Sequence, residues 1–212
     1  MSRLAARACA AAACVAGLAA ARPALAGDGV YGRLDGDLDL SLGAGAGVLV
    51  GGAAFAARTS ALYAGTAGLY LGYLDTFGQS GAFQARSLAA GVSLRPLFWG
   101  RFATNTELGV PRLDLLIDSL AFEIGAVWLA PPASDFEAEP GLEIAMGFGV
   151  PILDDATGPF LEVRGAARFR PQDLDGTGMA DFTARGAVLT ITLAWHHVVG
   201  VHIADAGDRL QR

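Results

Sequence analysis

The chain has 212 residues, 53% of them hydrophobic and 29 of them glycine, and its 15 basic side chains face 21 acidic ones for a formal net charge of −6. With a mean hydropathy of +0.42 it is too apolar for an ordinary soluble domain and too rich in glycine for a helical core. The negative balance disfavours a nucleic-acid partner.

The first element is a targeting segment. Arg3 and Arg7 precede an alanine-rich apolar stretch ending in Ala24-Leu25-Ala26, a small-residue site for signal peptidase. Residues 1–26 are therefore expected to be a cleaved signal peptide, with the mature chain beginning at Gly27. The apolar core is short for a membrane-spanning helix, and Ala11-Ala12-Ala13 before Cys14 lacks the branched apolar residue of a lipoprotein signal. Cys9 and Cys14 both lie in this segment, which leaves the exported chain no thiol for a disulfide or a metal. Cleavage also removes Arg3, Arg7 and Arg22, so 12 basic residues, all arginine, remain against 21 acids, a net charge of 12 − 21 = −9.

From Tyr31 to Leu42, Tyr31, Arg33, Asp35, Asp37, Asp39 and Ser41 alternate with Gly32, Leu34, Gly36, Leu38, Leu40 and Leu42. That is the period of a strand. A helix would scatter the aspartates and leucines around every side, whereas a strand separates them onto two faces. Val48 to Ala57, Leu62 to Leu74 and Phe83 to Leu94 alternate less clearly, being rich in Gly and Ala, and are read as the next strands. Between them, Gly43 to Gly47, Arg58-Thr59-Ser60 and Asp75 to Gly81 read as turns. Leu97 to Asp118 fits a short helix or a strand extension equally well, because Leu113, Leu115, Leu116 and Ile117 follow neither period.

Clear alternation returns downstream. Leu120, Phe122, Ile124, Ala126 and Trp128 oppose Ala121, Glu123, Gly125 and Val127. Leu142, Ile144, Met146, Phe148 and Val150 oppose Glu143, Ala145, Gly147 and Gly149. Leu161, Val163, Gly165, Ala167 and Phe169 oppose Phe160, Glu162, Arg164, Ala166 and Arg168. Leu189, Ile191, Leu193 and Trp195 oppose Thr190, Thr192, Ala194 and His196. Asp181, Thr183 and Arg185 break the pattern before Gly186, which calls for a bulge there or exposure. Pro131 to Pro140, Asp154 to Gly158 and Pro171 to Gly178 read as loops. The strand count is eight.

One face of these strands is apolar and uncharged, and the other carries acids, arginines and very small residues. A soluble sheet solvates its polar face with Lys, Thr, Asn and Gln. A membrane barrel instead puts the apolar parity toward lipid, over about 9 to 11 tilted residues per strand. The expected lipid-facing and girdle residues are Leu34, Leu38, Leu40, Leu42, Phe122, Trp128, Ile144, Phe148, Phe169, Ile191 and Trp195. The expected lumen charge network is Arg33, Asp35, Asp37, Asp39, Glu123, Glu143, Glu162, Arg164 and Arg168, where mixed signs allow each buried charge a partner. A helical membrane protein is the weaker reading of the uncharged run Leu40 to Ala57, since its glycines would each cost about 1 kcal/mol in a helix.

The signal segment, the eight alternating strands, the cysteine-free body and the aromatic strand ends together resemble the small eight-stranded outer-membrane β-barrels, a class that includes lipid-A-modifying enzymes, adhesins and structural anchors. The resemblance is architectural, covers nearly all of the mature chain and carries no motif from which a site residue transfers. It implies an all-β, antiparallel up-and-down transmembrane barrel over residues 27–195, outer-membrane lipid as partner and residence in the outer membrane. Such barrels finish on an aromatic residue, whereas this chain runs on past Trp195, so residues 196–212 are expected to form a tail.

No cofactor or metal is expected. His196 and His202 lie about 20 Å apart along a continuing strand, too far to share an ion, and Asp173 to Gly178 lacks the final acid of a calcium loop. Ser41, Ser87, Ser93 and Ser119 are available as nucleophiles, but none pairs with a histidine by spacing. The leading expectation is a non-enzymatic barrel with a charge-networked lumen and a structural or loop-mediated role. The alternatives are a narrow pore or small-ligand carrier whose acidic wall of Asp35, Asp37, Asp39, Glu123 and Glu143 favours cations, and a secreted soluble barrel or sandwich.

Overall fold

A computed structural model describes residues 31–49, 52–78, 84–131, 134–171 and 186–201. The expected signal peptide of residues 1–26, Phe83, the 173–178 loop, the 181–185 irregularity and His202 lie outside these residues. Eight strands form one closed antiparallel barrel in sequence order: β1 Leu38–Leu49, β2 Gly52–Tyr63, β3 Ala67–Asp75, β4 Arg86–Leu94, β5 Ala121–Ala130, β6 Gly141–Pro151, β7 Gly158–Phe169 and β8 Ala187–Val199. Two helices, α1 Leu97–Thr104 and α2 Pro111–Asp118, fill the connection from β4 to β5. The up-and-down all-β barrel expected from the alternation is the fold, and it excludes the sandwich.

Closure comes from β1 pairing with β8 from Leu38↔Val199 to Leu49↔Val188. Every strand thus has two neighbours, and no sheet edge is left over. Parity decides what faces where. Ile144 and Ile191 are each 47% exposed on the outer wall, whereas their sequence neighbours Glu143 and Thr192 are buried inside.

Several element boundaries differ from the sequence reading. The first strand begins at Leu38, because Tyr31 and Gly32 take positive φ and Asp35 N donates to Gly32 O in a turn. Gly and Asp alternating with anything else fit a turn as readily as a strand. Gly43 to Gly47 is the interior of β1 and Arg58-Thr59-Ser60 the interior of β2. The glycines there reflect close packing: a Cβ on Gly45 would come within 2.1 Å of the Ile191 carbonyl oxygen across the closing seam. Leu97 to Asp118 resolves into helix, with Pro111 at the start of α2, where its missing N–H costs nothing. β8 continues past Trp195 to Val199, so His196 belongs to the barrel.

Along the axis the interior has three layers. At the end where β1 meets β2, Leu49, Ala54, Ala56, Leu74, Ala145, Ala166 and Val188 form a small-residue core. The middle is charged. At the other end, where β1 begins and β8 finishes, α1, α2 and the segment 31–37 form a cap that buries Phe98, Asp114 and Leu115.

Candidate functional site

Because alternate strand residues point to the axis, β1, β5, β6 and β7 deliver Asp39, Glu123, Glu143 and Glu162 into one lumen. Each meets arginine. Arg168 Nε donates to Glu143 Oε2 at 2.6 Å, and its Nη1 donates to Ser87 Oγ at 2.8 Å. Arg164 bridges two acids, donating from Nη2 to Glu143 Oε1 at 2.5 Å and from Nε to Glu123 Oε2 at 2.6 Å. The fork of Arg58 takes both oxygens of Glu123. Tyr70 OH donates to Glu143 Oε1 at 3.1 Å, and the Tyr70 ring lies 5.0 Å from the Arg58 guanidinium and 5.4 Å from that of Arg164.

Toward the cap the chain of contacts continues. Glu162 stands 3.9 Å from Arg58 and 4.0 Å from Arg95, and Arg95 Nη1 donates to Asp39 Oδ2 at 3.1 Å. His196 is held between Asp39 at 3.3 Å and Glu162 at 3.1 Å, with its ring 4.4 Å from that of Phe160. Four carboxylates, Asp39, Glu123, Glu143 and Glu162, are therefore matched by four guanidinium groups, Arg58, Arg95, Arg164 and Arg168. Arginine suits this role because its rigid fork binds two oxygens at once and remains charged when buried. The space left among Arg58, Glu123, Glu162, Arg164 and His196 is about 20 Å3, little more than one water needs.

The cap has its own cluster. Asp114, fully buried, accepts from Leu108 N at 2.9 Å, from Tyr31 OH at 3.1 Å and from Arg101. Arg101 also donates to Asp118 Oδ1 at 2.7 Å. Arg33 Nη1 stands 2.5 Å from Asp118 Oδ2, and its guanidinium lies over the Phe98 ring at 4.7 Å. Burial alone would raise the Asp114 carboxyl, but the Leu108 amide, Arg101 and Tyr31 hold it below the usual carboxylate range. Burial, with the hydrogen bond to Asp114, raises the Tyr31 phenol. Ser119 joins the cap to the wall: its Oγ donates to Gly149 O at 3.0 Å and accepts from Gly149 N at 2.7 Å.

Of the nine expected lumen residues, Asp39, Glu123, Glu143, Glu162, Arg164 and Arg168 come together in the network. Arg33 sits in the cap, Asp35 is exposed, and Asp37, at the rim just before β1, accepts from Val201 N at 2.6 Å. These three leave the expected set because the strand starts after them. The acidic wall of the pore alternative loses Asp35 and Asp37, and its remaining acids, Asp39, Glu123 and Glu143, each face an arginine. The sequence reading missed Arg58, Arg95 and His196; Arg58 shares parity with Ala54, Ala56 and Ser60, a signal masked by reading the polar trio as a turn.

On the outer wall, Leu40, Leu42, Phe122, Ile144, Phe148 and Ile191 are exposed, and Leu38, Trp128, Phe169 and Trp195 are half-buried. Leu34 is exposed on the segment before β1 and so is not part of the wall. Ser41 bonds to Ser60, Ser87 to Arg168, Ser93 to Glu123, and Ser119 to Leu116 and Gly149. Among the described residues, no group of three or more His, Cys, Asp or Glu is placed to hold a metal ion. No protein-family model matches the chain, and a search of curated proteins finds no match.

Proposed function

We propose that this is an exported outer-membrane barrel, delivered by the signal peptide of residues 1–26, with outer-membrane lipid around it and a lumen closed by ion pairs. One observation carries the reading: the outward positions of all eight strands hold no Asp, Glu, Lys or Arg apart from Asp75 and Arg86, which are register partners at the far rim, and the outward His197 lies at the cap end of β8. A wall in water has no reason to exclude charge, whereas a midplane arginine in lipid costs about 2 to 4 kcal/mol. Tyr73, Leu88 and Trp128 stand side by side across β3, β4 and β5 near that rim, and Tyr63 and Trp195 lie toward the cap. Aromatic residues at two levels suit the two interfaces of a bilayer.

The role is structural or mediated by the loops, because paired charges occupy the middle layer and the space left among Arg58, Glu123, Glu162, Arg164 and His196 is only about 20 Å3. Heat-modifiable gel migration of the detergent-extracted protein, with recovery in the outer-membrane fraction, tests the location. Planar-bilayer recording tests the seal: the wild type is expected to give no conductance steps. Recovery of the folded protein in buffer without detergent overturns the membrane reading, and steady conductance overturns the closed lumen.

A further inference from the structure

A second space, of about 50 Å3, lies where the cap meets the lumen network, and Arg33, Asp39, Arg95, Phe98, Asp118 and His196 are among its walls. A water needs about 10 to 15 Å3, so this chamber has room for a group of several heavy atoms. The hydrogen-bonding capacity facing it is uneven. Asp39 is taken by Arg95 and His196, and His196 is taken by Asp39 and Glu162. Asp118 accepts from Arg101 through one oxygen and opposes Arg33 Nη1 with the other, an ion pair without hydrogen-bond alignment.

What remains unspent, apart from Asp118 Oδ2, is donor capacity. Arg33 Nη2 and Arg95 Nε are buried with no acceptor, on side chains that are only 9% and 11% exposed. A buried guanidinium with idle N–H groups is costly. Burial pushes the Arg33 guanidinium below its ordinary range, with Asp118 and Glu107 offsetting only part of the effect.

We infer that the chamber is a binding site for a small oxoanion, of the carboxylate or phosphate class, gripped by Arg33 from the cap and Arg95 from the lumen. Guanidinium forks match paired oxygens in both geometry and charge. A cation finds only Asp118 Oδ2 unbonded on these walls, and that oxygen already faces Arg33. The site is built by the cap and the barrel interior, so it does not depend on whether the outer wall meets lipid.

The test compares the thermal midpoint of the folded, detergent-solubilised full chain in phosphate, acetate and chloride at matched ionic strength and neutral pH. Binding to the folded state raises the midpoint as the logarithm of free anion, so phosphate or acetate is expected to raise it beyond chloride. Arg95→Lys keeps a cation beside Asp39 but lacks the Nε donor, and is expected to weaken the apparent affinity about tenfold or more. Arg112→Gln, which alters an exposed pair with Asp154, is expected to leave it unchanged. Should Arg95→Lys fail to fold, the wild type still decides: its Arg95 Nε–H resonance shifts saturably with phosphate or acetate and not with chloride. Equal midpoints in the three salts, a folded Arg95→Lys that keeps the full dependence, or an unmoved Nε–H resonance overturns the inference.

Discussion

Tyr70 and Glu143, 73 residues apart in sequence, meet inside the barrel with the phenol hydroxyl 3.1 Å from Oε1. Glu143 has no exposed surface and is also the shared acceptor of Arg164 and Arg168. Its single negative charge is therefore shared between two buried arginines, one of which, Arg164, is also paired with Glu123. Glu143→Ala leaves Arg168 without a carboxylate and Arg164 with Glu123 alone, and is expected to lower unfolding stability by about 3 to 5 kcal/mol. Tyr70→Phe removes one donor among several and should cost about 1 kcal/mol. Urea unfolding in detergent micelles measures both.

Ile144, the next residue, faces the opposite way. In lipid vesicles Ile144→Arg is expected to cost about 2 to 4 kcal/mol and to lower the folded yield. Were this wall in contact with water, a substitution at so exposed a position would change stability by only about 0.5 kcal/mol. Folding yield into vesicles of graded thickness separates the outcomes.

Acid should loosen the cap before the barrel. The native Asp114 carboxyl is held below its ordinary value, so its contribution is complete above the unfolded carboxyl pKa of about 3.9 and is lost as pH falls through the lower native one. Trp99, packed 5.3 Å from Phe98 on α1, reports this by fluorescence. The expected result is a Trp99 change below about pH 4 with strand circular dichroism unchanged. Asp114→Asn should show the loosened signal already at neutral pH.

The sequence announces strands wherever charge and grease alternate, as from Phe160 to Phe169, because each side chain there states its own face. It is indistinct from Gly43 to Ala57, where Gly and Ala occupy both parities and hide the Gly51-Gly52 pair that marks the boundary between β1 and β2. The segment before Leu38 misleads for a different reason, since its glycines and aspartates satisfy turn and strand alike. Which acid meets which arginine is illegible in principle: Arg58 and Glu123 lie 65 residues apart and Arg164 and Glu123 lie 41 apart, and only the register of intervening strands brings them together. Leu97 to Asp118 stays ambiguous because two eight-residue helices are too short to establish a period.

Glycine at the seam is a packing requirement. A Cβ at Gly45 meets backbone of β8, whereas one at Gly72 meets nothing within 4 Å. Gly45→Ala is expected to destabilise by about 1 to 3 kcal/mol and to raise the unfolded band on unheated gels. Gly72→Ala should leave that band at the wild-type level.

Asp39 and His196 touch across the β1–β8 junction although 157 positions separate them along the polypeptide. The first strand to emerge during synthesis must therefore wait for the last before its outer hydrogen bonds are satisfied. Until then it offers an unprotected ribbon to any passing β-segment, and long-range pairing of this kind is slow. A chain truncated before Ala187 never gains its final stave, and the outer edge of β1 then stays unpaired.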